Sequence, residues 1–250
     1  MHQFVSASRL PFLLFGVTGS GKSTTLAALI QIINESQALH IVTLENPIEY
    51  LYRDARAFVN QREIGIDLPD YQNGLRHVLR QDPDVILVGE LRDADTFEAA
   101  LMAAETGHLV FGTVHSSSAA QTIGRVLDYF PQSRHAQIRQ LLYFNLRAVV
   151  VQKLLKGLRP NIPRVPAVEL MLVNPLIRQM IYDDEDNKIP DAIRAGRDQG
   201  MQDMNQSLHD LVKRGLVSEQ MALESSPNPE QLAMNLKGIT LASDRGSISG

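Results

Sequence analysis

The chain has no cysteine among its 250 residues. That excludes a disulfide framework and any thiolate metal site, and it fits a reducing compartment. It has no apolar run approaching the roughly 18 residues that a membrane-crossing helix needs. It has no excess of basic residues either: 24 Lys and Arg stand against 28 Asp and Glu, a net charge of −4. A nucleic-acid binder that relies on bulk charge is therefore not expected. The first residues lack the charged-then-apolar form of a signal peptide, so the cytoplasm is the expected compartment. No self-similarity at a period of about 20–50 residues marks a repeat array. What is present is ordinary globular material, 44% hydrophobic and 21% charged. It is long enough to bury a substantial core.

Strand-like apolar runs alternate with helical patterns through the first two-thirds. Strands are expected at 10–15, 40–44, 85–89 and 109–113, and helices at 22–34, 71–80, 94–105 and 119–129. Such alternation predicts an α/β fold, a mostly parallel sheet covered by helices on both faces. "KGLRPNIPRVP" then reads as a loop or hairpin, and 166–172 as a last strand. Short helices follow at 175–182, 189–197, 204–214 and 218–224, with another starting at Pro229 and stopping before Gly238. The expected organisation is an α/β core over 1–172, a helical unit over 173–238 and a disordered tail over 239–250.

The stretch Gly16-Val17-Thr18-Gly19-Ser20-Gly21-Lys22-Ser23 fits G-x-x-x-x-G-K-[ST] in full. It lies between an expected strand and an expected helix, the context that the phosphate-binding loop requires. Glycines let backbone N–H groups turn toward phosphate oxygens, and the helix N-terminus adds partial positive charge. Gly16, Thr18, Gly19, Ser20, Gly21, Lys22, Ser23 and Thr24 are the candidate ATP-binding residues. Lys22 would reach the β- and γ-phosphates and Ser23 would hold Mg²⁺. A Gly-rich turn with a chance lysine would not bring both motif and context.

"PDVILVGELRD" ends an unbroken apolar run in Gly89-Glu90, placing a carboxylate at the carboxyl end of a parallel strand, where such sheets bind ligands. Glu90 is a candidate to hold Mg²⁺ through a water or to polarise the attacking water; the plain alternative is a surface acid at a turn. "TLENPIEY" adds Glu45 and Glu49 just past the second strand, and one of them could be the base that orients water. Acidic loops after strands are common, so that signal is weak alone. His108 and His115 bracket the strand at 109–113. Residues seven apart on one strand lie about 20 Å from each other, so the two are not read as a metal pair. His115, at the carboxyl end, is placed to sense a γ-phosphate; His108 is left to packing or a subunit contact.

Taken in order, "GVTGSGKSTTLAALI", "TLENPIEY", "VNQREIG", "LRQDPDVILVGELRD" and "AAETGHLVFGTVHSSSAAQTIGRVLDYFP" resemble the secretion-ATPase superfamily. Within it, the chain is similar to the PilT-like retraction ATPases of type IV pili, from about Leu10 to Gly238. The resemblance implies a RecA-like core in a homohexameric ring driven by ATP hydrolysis with Mg²⁺. It implies Glu49 as general base, Glu90 as an aid to Mg²⁺ binding, and His108 and His115 as a histidine box. Glu49, Glu90 and His115 are thus the catalytic candidates. It also implies a helix motif associated with retraction at Leu176-Ile177-Arg178-Gln179-Met180-Ile181-Tyr182-Asp183. The implied partners are further copies of the chain and the platform protein of the pilus. The ring would sit in the cytoplasm, peripheral to the inner membrane, with no nucleic acid.

Three departures stand out. Asn46 replaces the aspartate of the family's acidic box. Tyr182-Asp183 ends the retraction helix where Arg-Glu is usual. The family's separate N-terminal domain has no counterpart ahead of the loop, so a truncated product, a fragment or a reduced variant is expected. Two other roles stay open: an assembly, secretion or DNA-uptake pilus ATPase, and a nucleotide-binding adaptor that hydrolyses little.

Overall fold

The computed structural model describes residues 12–16 and 20–239. The expectations placed on Leu10, Thr18, Gly19 and the tail from residue 240 lie outside the described residues. Among the described residues, seven strands form one sheet: β1 (Phe12–Gly16), β2 (His40–Glu45), β3 (Phe58–Glu63), β4 (Val85–Val88), β5 (Leu109–Thr113), β6 (Leu146–Arg159) and β7 (Ile162–Leu172). Their order is β3-β2-β4-β5-β1-β6-β7. Every pairing is parallel except that of β6 with β7. The carboxyl ends of β1, β2, β4 and β5 therefore open onto the same edge of the sheet, with β5 seated between β1 and β4.

Alternate residues of the buried strands feed opposite faces. Ile41, Val85, Leu87, Phe111 and Ala148 pack with Leu26, Leu29, Ile30 and Ile33 of α1 (Lys22–Ser36). Val42, Leu44, Ile86, Val88, Val110 and Val149 point to the other face. There they meet α2 (Tyr71–Val78), α3 (Ala94–Glu105), α4 (Ala119–Leu127) and α5 (His135–Asn145). Phe97 of α3 is fully buried in that layer. Three of these helices begin at side-chain caps: Asp70, Asp93 and Ser118 accept the backbone N–H of Asn73, Thr96 and Gln121.

Three elements were not expected from sequence: β3, α5 and most of β6. "KGLRPNIPRVP" proves to be the hairpin that joins β6 to β7, and β7 starts at Ile162 rather than at Pro166. Pro163 and Pro166 are tolerated because β7 is an edge strand. Gly157 allows the hairpin to close: a Cβ there would lie 1.9 Å from the carbonyl oxygen of Ile162.

Among the described residues, five α-helices follow the sheet: α6 (Pro175–Tyr182), α7 (Ile189–Ala195), α8 (Met204–Lys213), α9 (Glu219–Ser225) and α10 (Pro229–Leu236). Their apolar faces, among them Ile177, Ile181, Ile189, Leu208 and Leu232, continue the cluster on the α2–α5 side. Arg139 of α5 ties this region down. Its Nη1 donates to the Ile181 carbonyl at 2.7 Å and to Asp186 Oδ1 at 2.9 Å, and its Nη2 donates to Asp186 Oδ2 at 2.7 Å and to Asp184 Oδ1 at 2.5 Å. Burial disfavours the charged guanidinium, but the bonds and charges of Asp186 and Asp184 more than offset it. Arg139→Ala is expected to destabilise the chain by about 2–3 kcal/mol, below the full value for a buried pair because Asp184 is largely exposed. Thermal unfolding should show a melting temperature lower by about 5–10 °C. A shift under about 1 °C would mean that the contact does not hold the helices.

Candidate functional site

The site assembles at the carboxyl edge of the sheet, around the first turn of α1. Gly21 caps that helix with φ 86°. A Cβ there would be strained by the backbone and would stand 2.9 Å from Gln152 Nε2. Gln152, reaching over from β6, pins both sides of the turn: its Nε2 donates to the Ser20 carbonyl at 2.6 Å, and its Oε1 accepts from Thr25 Oγ1 at 2.9 Å. Gly16 ends β1 and pairs with Val151. Lys22 points into the cleft, where burial lowers its pKa and the charge of Glu90 opposes that fall.

The loop after β2 closes on the same turn. Ser23 Oγ donates to Glu49 Oε1 at 3.2 Å, and Thr24 Oγ1 lies 2.7 Å from the Tyr50 hydroxyl. The Asn46–Pro47 peptide is cis. β3 acts as the bracket for this loop. Glu63 Oε2 accepts the Ile48 N–H at 3.0 Å, while Gln61 accepts the Tyr52 N–H at 2.9 Å and donates to the Tyr50 carbonyl at 2.8 Å. Glu45, also at the cleft, accepts from Thr43 Oγ1 and Gln61 Nε2. Of the two box acids it is Glu49 that reaches the turn of α1.

Glu90 follows β4 with Gly89 between. The glycine has a steric reason: a Cβ would meet the Leu44 carbonyl oxygen at 3.1 Å and the Tyr71 hydroxyl at 3.3 Å. Beyond it, Glu90 Oε1 lies 2.6 Å from His115 Nε2, and Oε2 pairs with Arg92. Burial alone would raise the Glu90 pKa, but the hydrogen bonds and charges of Arg92 and His115 leave it below the ordinary carboxylate value. A depressed carboxylate stabilises the fold above its ordinary pKa and loses that contribution as pH falls through the depressed one. Glu90 is therefore ionised at neutral pH. Burial first, then the charges of Glu90 and Glu45, push the Tyr71 phenol up to about 12, so it remains an O–H donor. Burial likewise raises the Tyr52 phenol.

Gly21, Lys22, Ser23, Thr24, Glu49, Glu90 and His115 thus border one cleft of about 420 Å³. That volume is within the range of small-molecule and cofactor sites. Ser20 is buried beneath the turn. His108 lies apart, at the far end of β5, where its Nδ1 is 2.9 Å from the Ala103 carbonyl oxygen. Sequence reasoning missed Gln152, Tyr52, Tyr71 and Arg92. Only Arg92, two residues from Glu90 in "GELRD", carried a local signal. The donors present suit a nucleotide with Mg²⁺: a lysine and N–H groups at a helix N-terminus, and a hydroxyl and carboxylates as hard oxygen ligands. Among the described residues no group of three His, Cys, Asp or Glu could hold a metal by itself.

Fold and cleft together have the architecture of the RecA-like P-loop class. The family model described as type II/IV secretion system protein matches residues 1–226, and the chain belongs to that family. It is 45% identical over 221 residues to a twitching motility protein of Neisseria gonorrhoeae, covering 88% of this chain and 59% of that relative. It is 46% identical over 218 residues to the type IV pilus retraction ATPase PilT of Pseudomonas aeruginosa, covering 87% of this chain and 63% of PilT. The crystal structure of the pilus retraction motor PilT with bound ADP superposes with a TM-score of 0.83 at 43% identity, covering 90% of this chain and 64% of that one. The chain thus spans about three-fifths of the length of these relatives.

Proposed function

We propose that this chain binds ATP with Mg²⁺ in the cleft and hydrolyses it, and that hydrolysis powers the retraction of type IV pili. The observation that carries the reading is the phosphate-binding turn of α1 facing Glu49 on one side and the Glu90–His115 pair on the other, within one cleft. Lys22 and the helix N-terminus would neutralise charge on the phosphates. Glu49 would take the proton of the attacking water. Mg²⁺, held by Ser23 and, through a water, by Glu90, would supply further charge neutralisation. His115 would orient Glu90 and report on the terminal phosphate. Thr18 and Gly19 would complete the cradle.

The same reading makes the chain part of a homohexameric ring, cytoplasmic and peripheral at the inner-membrane base of the pilus, acting on the platform protein without nucleic acid. Retraction is favoured over assembly by the names of the relatives of 45% and 46% identity and by α6, which carries the matching helix motif. Residues 1–172 would form the motor core and 173–238 the unit that transmits the stroke.

Arg178 of α6 tests that division. Its neighbours Ile177 and Ile181 are fully buried, while its guanidinium lies 5.6 Å from the centre of the Tyr143 ring. In the full-length protein, Arg178→Ala is expected to keep phosphate release within about twofold of the parent and to reduce twitching to under about a tenth. Complementation of a strain lacking its retraction ATPase reads this directly. Failure of the parent protein to restore twitching would overturn retraction as the function. Twitching equal to that of the parent would remove Arg178 from force transmission.

A further inference from the structure

β7 places a carboxylate where its neighbours are apolar. Val165, Ala167 and Met171 face the α2–α5 side of the sheet. The two-residue period of a strand sets Glu169 in the same row. Val151, directly across on β6, belongs to that apolar layer too. Glu169 is buried, and a buried carboxylate needs partners. It finds them in two backbone N–H groups. Its Oε1 accepts the Ala119 N–H at 2.6 Å, and the Met204 N–H also bonds to the carboxylate. Burial pushes its pKa up and the Ala119 N–H opposes that rise; the charge of Asp203 adds to it, while the Met204 N–H and Lys153 oppose it.

Ala119 and Met204 are the first residues of α4 and α8. Such N–H groups have no partner within their own helices, and both residues are buried from water. An anion is favoured at a helix N-terminus as well. The two ends are held differently. α8 is strapped to β7 by other bonds: Leu170 and Gln202 exchange N–H and carbonyl at 2.8 and 3.0 Å, and Ser207 Oγ accepts the Val168 N–H at 2.9 Å. The segment from His115 to Ser118 leads from β5 into α4. Ser116 Oγ lies 2.6 Å from Thr122 Oγ1, and Ser118 caps its own helix. Those bonds stay within the segment and α4, whereas Glu169 ties the segment to β7 and, through Met204, to α8. His115, at the head of the segment, meets Glu90 across the cleft. A shift at the start of α4 would move that contact.

We propose that Glu169 is a positioning residue for His115, fixing the start of α4 against α8 so that the imidazole stays on Glu90. This rests on the reading of the cleft as a site of ATP hydrolysis. Steady-state phosphate release by the full chain tests it, with turnover expressed per ATP site counted by titration calorimetry, so that unfolded material drops out. Glu169→Gln keeps the size but offers one accepting oxygen, and its amide nitrogen is a donor set against a donor. It should lower kcat by about tenfold and leave the Kd for ATP within about twofold of the parent. His115→Ala should cost at least as much. Adding Glu169→Gln to His115→Ala should lower kcat by less than about twofold further, because the side chain it positions is gone. A merely structural role would cost the same factor in either background. An unchanged kcat in Glu169→Gln, a loss that multiplies with that of His115→Ala, or lost ATP binding would overturn the positioning role while leaving an active parent's site standing. A parent that releases no phosphate would overturn the reading of the cleft, and the positioning role with it.

Discussion

Glu49→Gln is expected to bind Mg-ATP about as well as the parent and to lose about 10²–10⁴-fold in turnover, the usual worth of a positioned base. The carboxylate sits on a loop held from below by Gln61 and Glu63, so its position does not depend on its own charge. A glutamine keeps the size and the acceptor for Ser23 Oγ, which is 3.2 Å away in the parent. What it loses is the capacity to take a proton. Glu90 is built differently, with both oxygens engaged by cationic or donor groups. A carboxylate so engaged is a poor base, and Glu90→Gln should chiefly raise the Mg²⁺ concentration needed for activity. Single-turnover hydrolysis and a Mg²⁺ titration of both variants separate the roles. If the Mg²⁺ requirement moves with Glu49 and the base-like loss with Glu90, the two assignments are reversed.

Lys22→Ala should weaken ATP by at least about a hundredfold, or about 2.7 kcal/mol. Lys22 is the cation at the N-terminus of α1, half-buried in the cleft. Burial lowers its pKa because the charged form is poorly solvated there; bound phosphates would restore what water no longer provides. Alanine is the best helix former, so the first turn should survive the change. Calorimetric affinity near that of the parent, in a variant with an unaltered circular dichroism spectrum, would place the phosphates elsewhere.

The parts of this site that were legible in the sequence are local. The loop and its helix are contiguous, and β4 announces itself because all four of its residues are buried and apolar. The mostly parallel α/β sheet followed from the same alternation. β3 was not legible because its side chains serve as brackets: Asn60, Gln61, Arg62 and Glu63 are polar and partly buried, with no apolar alternation. Gln152 was not legible because it lies 132 positions from the Ser20 carbonyl it holds, and only the sheet order brings β6 beside β1. α5 did carry a signal, the i, i+4 pair Ile138 and Leu142, but the buried Arg139 between them disguises the apolar face. The glycine before Glu90 was visible as an irregularity, and its cause, the close approach of the Leu44 carbonyl and Tyr71, needed three dimensions.

ATP hydrolysis in the cleft is what the proposed function demands first. The most direct measurement is steady-state phosphate release by the purified protein, with and without Mg²⁺, beside Lys22→Ala. The predicted result is release that saturates with ATP, requires Mg²⁺ and vanishes in Lys22→Ala. Release from saturating Mg-ATP no greater than that of Lys22→Ala would contradict it.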